Sequence, residues 1–169
     1  VAFIGTRRPS PKQLTELYRA VKELPRGLIF HTGAALGVDQ AAARAALERY
    51  SLHVVLHIPW AGYQHGFVQA LRAFAPKRVS VEFPPTPEDE AIAVAHHPRP
   101  DLLTPDARLL HARNVRIVQP CTFGVFAYPG RAPWGGGTAM GIRLARHFGH
   151  PCTIQDPLNR EWATCGCKL

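Results

Sequence analysis

Apolar and polar positions change their period repeatedly along the chain. Val1, Ala2, Phe3 and Ile4 form a continuous apolar run stopped by Gly5, which predicts a short buried strand. Leu14, Leu17, Tyr18, Val21 and Leu24 then recur at helical spacing, with Ser10 as cap, Pro11 at the first helical position, and Pro25 and Gly27 at the end. The alternation repeats. Leu28 to Gly33 predicts a second strand, Val38 to Tyr50 an alanine-rich helix, and His53 to Pro59 a third strand. The stretch from Trp60 to Gly66 is a loop of large aromatics and glycines, followed by a short helix over Phe67 to Phe74. From about residue 75 to about 105, prolines break the pattern, which reads as an excursion containing a helix from Glu88 to His96, not as a second domain. Thr104, Pro105 and Asp106 open a helix that runs to Val118. Thr122 to Tyr128 predicts a fourth strand, Arg131 to Gly136 a glycine-rich loop, and Gly137-Thr138 the start of a helix that Gly149 ends. His150 to Ile154 returns as a fifth strand, and the tail from residue 156 has no strong pattern.

Strands alternating with helices at this spacing predict one α/β domain over 1–169. The fold is a Rossmann-like three-layer arrangement, a mostly parallel sheet of about five or more strands with helices on both faces. In such a sheet the ligand lies outside the C-terminal strand ends, so the loops that follow the strands are the candidate site. Those loops carry Gly5, Thr6, Arg7 and Arg8; Thr32, Gly33, Gly37 and Asp39; Trp60 and Tyr63; and Pro129 with Gly135, Gly136, Gly137 and Thr138. Glycine lets backbone amides approach a phosphate, and a helix starting just afterward adds its positive dipole end. The first loop lacks the second and third glycines of the dinucleotide fingerprint, and no GKS or GKT phosphate loop is present.

Charge sharpens this picture. The chain has 20 Lys plus Arg against 12 Asp plus Glu, a formal +8, and 16 of the basic residues are arginine, whose planar fork suits phosphate and carboxylate. With 46% hydrophobic residues the chain can bury a core, yet its apolar runs fall far short of the roughly 18 residues of a membrane span. No signal-peptide pattern opens the sequence, so the expected compartment is the cytoplasm. Four clustered cysteines do not make a disulfide framework, and Cys165-Gly-Cys167 lacks zinc-knuckle spacing, so no metal and no cofactor is expected.

Several runs occur in an order that resembles one known group. These are Ala2-Phe3-Ile4-Gly5-Thr6-Arg7, His31-Thr32-Gly33-Ala34-Ala35-Leu36-Gly37-Val38-Asp39, Ile58-Pro59-Trp60, Ala112-Arg113-Asn114, Ala127-Tyr128-Pro129, Gly136-Gly137-Thr138 and Gly149-His150-Pro151. Together they resemble the SLOG superfamily, Rossmann-like relatives of the DprA (Smf) DNA-processing proteins and the LOG cytokinin-activating hydrolases, and most of all its YspA/cpYpsA-related branch. The resemblance covers nearly the whole chain to about Ile154. It implies a pocket for a nucleotide or nucleotide-derived ligand, often in a homo-oligomer, with Arg113 and Asn114 near that ligand. In the hydrolase relatives a glutamate pair follows the Gly-Thr motif, whereas Ala139-Met140-Gly141 stands here, so the resemblance supplies the phosphate cradle without its carboxylate.

Individual residues keep two readings. Arg7 and Arg113 can grip a phosphate or remain solvated surface groups, and Asn114 can touch ligand or anchor a loop. Asp39 can accept from a ribose hydroxyl or serve the start of its helix. Trp60 and Tyr63 can stack on a base or close over a core. His31, His57 and His111 have the ordinary pKa of acid–base groups, but with no adjacent carboxylate in the sequence they read as structural. Three functions follow: binding of a phosphorylated nucleotide-like small molecule; an N-glycosidase whose carboxylate, such as Asp39 or Glu82, arrives from elsewhere; and DprA-like binding of single-stranded nucleic acid.

Overall fold

A computed structural model describes residues 1–49, 52–130 and 136–156. Its strands are β1 (Ala2–Gly5), β2 (Ile29–Thr32), β3 (His53–His57), β4 (Val79–Glu82), β5 (Val125–Tyr128) and β6 (Cys152–Ile154). Every pairing is parallel, in the order β4-β3-β2-β1-β5-β6. The helices are α1 (Pro11–Glu23), α2 (Val38–Arg49), α3 (His65–Phe74), α4 (Pro87–His96), α5 (Pro105–Val118) and α6 (Gly136–His147). A single 3-10 turn, Pro100–Leu102, precedes α5.

Local chemistry sets the helix starts. Ser10 accepts from the backbone N–H of Gln13, whose side chain accepts in return from Ser10 N–H, and Thr86 and Asp89 repeat this reciprocal cap on α4. Thr104 caps α5 through Ala107 N–H, with Pro105 at the first position as the sequence predicts.

Two cores lie on opposite faces of the sheet. One joins Phe3, Phe30 and Leu56 to Leu17 and Val21 of α1, the alanines of α2 and Val68 and Leu71 of α3. Phe3 is its centre, stacked on Phe30 and Phe126 at centroid distances of 4.8 and 4.7 Å. The other joins Ala2, Ile4, Val125 and Ala127 to Ala93 of α4, Val115 and Ile117 of α5 and Met140 and Leu144 of α6. Small residues set how closely these layers approach: a Cβ on Gly141 would stand 2.1 Å from Ile4 Cδ1, so any larger residue there would force the Ile4 side chain to move.

The segment read as an excursion is more regular than its prolines suggest. It contributes β4 at the sheet edge as well as α4. Val79-Ser80-Val81-Glu82 is four residues long and only half covered, so it lacks the continuous apolar run that marks the inner strands.

Beneath α5, polar side chains from β2, β3 and β4 form a chain. His31 Nδ1 and His57 Nε2 are 3.0 Å apart. His57 Nδ1 lies 3.3 Å from Glu82 Oε2 without aligned hydrogen-bond geometry, and Glu82 accepts from Arg116 of α5 at 3.1 Å. Burial holds both imidazoles neutral. It lowers His31 to about 4, helped by the N-terminal amine and His53, and His57 to about 2, helped by its coupling to His31 and by the nearby charges of Arg116 and Arg113.

An unfolded histidine titrates near 6.5, so the unfolded chain binds more protons below that value and gains on the folded one. The contribution of these rings is complete above about pH 6.5 and falls as pH drops toward 4. Urea denaturation at pH 7.5 and pH 5 is expected to show a loss on the order of 2 kcal/mol per buried ring at the lower pH. A midpoint unchanged between the two would mean that the rings titrate normally.

Candidate functional site

The chain runs outward from β1 through β2 and β3 to β4, then returns to the other side of β1 for β5 and β6. The connections leaving β1 and β5 therefore diverge, opening a crevice at their C-terminal ends, which is where a doubly wound sheet places its ligand. A cavity of about 1100 Å³ lies there.

Loop interlocking shapes its floor. Thr6 N–H donates to Tyr128 O at 2.9 Å, Val38 N–H donates to Thr6 O at 3.1 Å, and Thr6 Oγ1 accepts from Arg8 N–H at 3.2 Å. Gln13 Nε2 reaches across to Pro129 O at 2.8 Å and Gln155 O at 3.2 Å, tying the start of α1 to the ends of β5 and β6. Asn114 Nδ2 donates to Gly137 O at 3.2 Å, which fixes the first turn of α6 against α5. Asn114 thus anchors the start of α6, and Gly136, Gly137, Thr138 and Ala139 of that first turn line the cavity.

At the back of the cavity Arg113 Nη1 donates to Asp39 Oδ2 at 3.3 Å, with both side chains over nine-tenths buried. Gly33 makes room for this pair. A Cβ there would lie 1.5 Å from Arg113 Nη1 and 2.5 Å from Asp39 Oδ2. Burial pushes the Asp39 carboxyl up from its ordinary value, against the opposing pull of the Arg113 charge and the backbone N–H groups of Ala35 and Gly5. Arg113 Nε has no hydrogen-bond partner among the described residues.

Of the residues singled out in the sequence, Gly5, Thr6, Arg7, Asp39, Arg113, Asn114, Pro129, Gly136, Gly137 and Thr138 meet in the wall of this one cavity. Gly33 and Gly37 stand behind it and serve packing: at Gly37, with φ +89°, a Cβ would also come within 2.4 Å of Thr6 O. Gly5 packs against Val38, whose Cγ2 a Cβ would approach to 2.5 Å. Trp60 is not part of the wall; it stands edge-on to Tyr63, centroids 5.2 Å apart. Gly135 and Cys165-Gly-Cys167 lie outside the described residues. Glu82 stays with Arg116 and His57, away from the cavity.

Sequence reasoning missed Gln13, Ala107, Leu110 and the cavity position of His111. The Ser10-x-x-Gln13 spacing was a signal for Gln13, as a capping box. His111 is buried and its Nδ1 has no partner among the described residues; burial lowers it to about 4, with added push from His97, Arg113 and Arg143. No group of three or more His, Cys, Asp or Glu among the described residues is placed to hold a metal ion. No helix among them is long and apolar enough to cross a membrane.

The fold is shared with a solved structure, DNA processing protein A (DprA) from Streptococcus pneumoniae, at a TM-score of 0.52 and 16% sequence identity. The match covers 90% of this chain and 48% of that one, so the chain spans about half the length of that neighbour. No protein-family model matches the chain, and no curated protein matches it.

Removing one partner of a buried ion pair strands the other charge, at a cost of about 3–5 kcal/mol. Asp39→Leu and Arg113→Leu are each expected to lose stability on that scale in urea denaturation. The double variant is expected to lose clearly less than the sum, because no charge is left unpaired. Additive losses would mean that the two side chains do not interact.

Proposed function

We propose that the chain binds a nucleotide or a nucleotide-derived phosphorylated ligand in the cavity between β1 and β5, as a member of the SLOG superfamily. The observation that carries this reading is the charge of the wall. Arg7, Arg8 and Arg113 converge with the start of α6, and the only carboxylate among the described wall residues, Asp39, is already neutralised by Arg113. A phosphate entering there meets guanidinium groups and the positive end of a helix dipole together. The order of motifs that resembles the superfamily supports the same reading, and the fold shared with DprA fits membership of that superfamily. The YspA/cpYpsA-related branch and assembly into a homo-oligomer are parts of this proposal that rest on the sequence resemblance.

Hydrolysis of an N-glycosidic bond finds less support. That reaction needs a carboxylate at the sugar, and the one at this wall is committed to an ion pair. Binding of single-stranded nucleic acid is the second reading, favoured by the formal +8 charge and by a structural neighbour titled as a DNA-processing protein. It predicts affinity that collapses as salt rises, because each phosphate contact releases counterions.

Titration calorimetry with AMP and ADP-ribose tests the main reading. Arg7 is exposed and lines the cavity, so Arg7→Ala is expected to weaken binding about tenfold while leaving the fold intact. A labelled single-stranded oligonucleotide, titrated from low to moderate salt, is the parallel measurement. Binding of the oligonucleotide alone would overturn the small-ligand reading in favour of the second.

A further inference from the structure

The cavity has two chemically different ends. Ala107, Leu110, His111 and Asn114 recur along α5 at i, i+3, i+4 and i+7, which places them in one stripe, and all four line the cavity. At the Asn114 end the stripe meets Arg113 and the first turn of α6. One to two turns earlier it is apolar: Leu110 and Ala107 are half-buried and open to the cavity. Seven residues at the helical rise put the two ends about 10 Å apart.

Between them sits His111, 9% exposed. It is held neutral by burial and by the surrounding positive charge of His97, Arg113 and Arg143. The cations among the described wall residues, Arg7, Arg8 and Arg113, come from the loop after β1 and from the Asn114 end of the stripe, whereas Ala107 and Leu110 present hydrocarbon and His111 an uncharged imidazole. A flat group with an apolar face and a neutral polar rim fits both. The volume of about 1100 Å³ reaches the upper end of the usual range for small-molecule sites, more than a bare phosphate or sugar phosphate would fill.

We propose that the ligand of this cavity carries a nucleobase, that the base lies on the Ala107–Leu110 end of the α5 stripe, and that Leu110 determines preference for nucleotides over sugar phosphates. This rests on the reading of the cavity as a phosphate-binding site. It moves the base contact away from Trp60 and Tyr63, the aromatics that the sequence offered for it, because Trp60 packs against Tyr63 outside the cavity wall. Neutral His111 supplies the polar neighbour for the rim of the base without demanding a charge from it.

The test compares AMP with ribose 5-phosphate by titration calorimetry on the full chain. Wild type is expected to bind AMP at least fivefold more tightly, the gain being the contact of the base. Leu110→Gln, a neutral change at a half-buried position, is expected to bring AMP down to the level of ribose 5-phosphate, while ribose 5-phosphate itself changes less than twofold. Leu110→Met keeps an apolar surface of similar volume and is expected to keep the preference. Circular dichroism confirms that each variant folds. Equal binding of the two ligands by wild type, or an AMP preference untouched in Leu110→Gln, would overturn the assignment of the base while leaving the phosphate site standing. Failure of wild type to bind either ligand would overturn both.

Discussion

The buried pair of Asp39 and Arg113 is the constraint around which this site is built. Asp39 stands in the first turn of α2, on one face of the sheet, and Arg113 on α5, on the other. Their contact passes the end of β2 and holds the two helical layers in register where the strands stop. It is possible only because Gly33 has no side chain to block it. Two ions taken out of water gain little net stability from each other, but neither can be left alone, so the pair fixes geometry more than it adds energy. The geometry it fixes is the position of a guanidinium at the back of the cavity.

The remaining walls follow from that placement. With α2 held at the sheet end, Val38 N–H reaches Thr6 O, and the loop after β1 folds over Gly37. Gln13 and Asn114 complete the frame from the other sides, one bonded to the strand ends and the other to the start of α6. These are backbone contacts made by side chains whose own position is fixed by helix packing. The frame of the cavity is therefore tied together from several elements without any ligand.

Much of this was legible in the sequence, for reasons that differ by residue. Ser10, Pro11, Thr104 and Pro105 mark helix starts because capping and a fixed φ act locally, and the structure places α1 and α5 there. The inner strands read clearly because both faces of each are covered, whereas β4 did not, being short and half-open at the edge. The glycines needed the structure. Gly5, Gly33 and Gly37 read as places where a backbone can approach a ligand, and only the structure shows what a side chain at each would meet: Val38, the Asp39–Arg113 pair, and the backbone of Thr6 and Arg7. Leu110 and Ala107 sit on an ordinary amphipathic helix, and no sequence pattern distinguishes a stripe facing a cavity from one facing a core. The contact of His57 with Glu82 joins strands that only topology makes neighbours.

The central claim is that a phosphorylated nucleotide occupies the crevice between β1 and β5. Amide chemical shifts of isotope-labelled protein titrated with AMP test it most directly. The account predicts saturable changes at Gly5 to Arg8, at Gly130 and at Gly137 to Ala139, continuing along α5 to Leu110. Changes confined to the loop of Trp60 and Tyr63 or to the β4 edge, with the β1 and β5 loops silent, would contradict it.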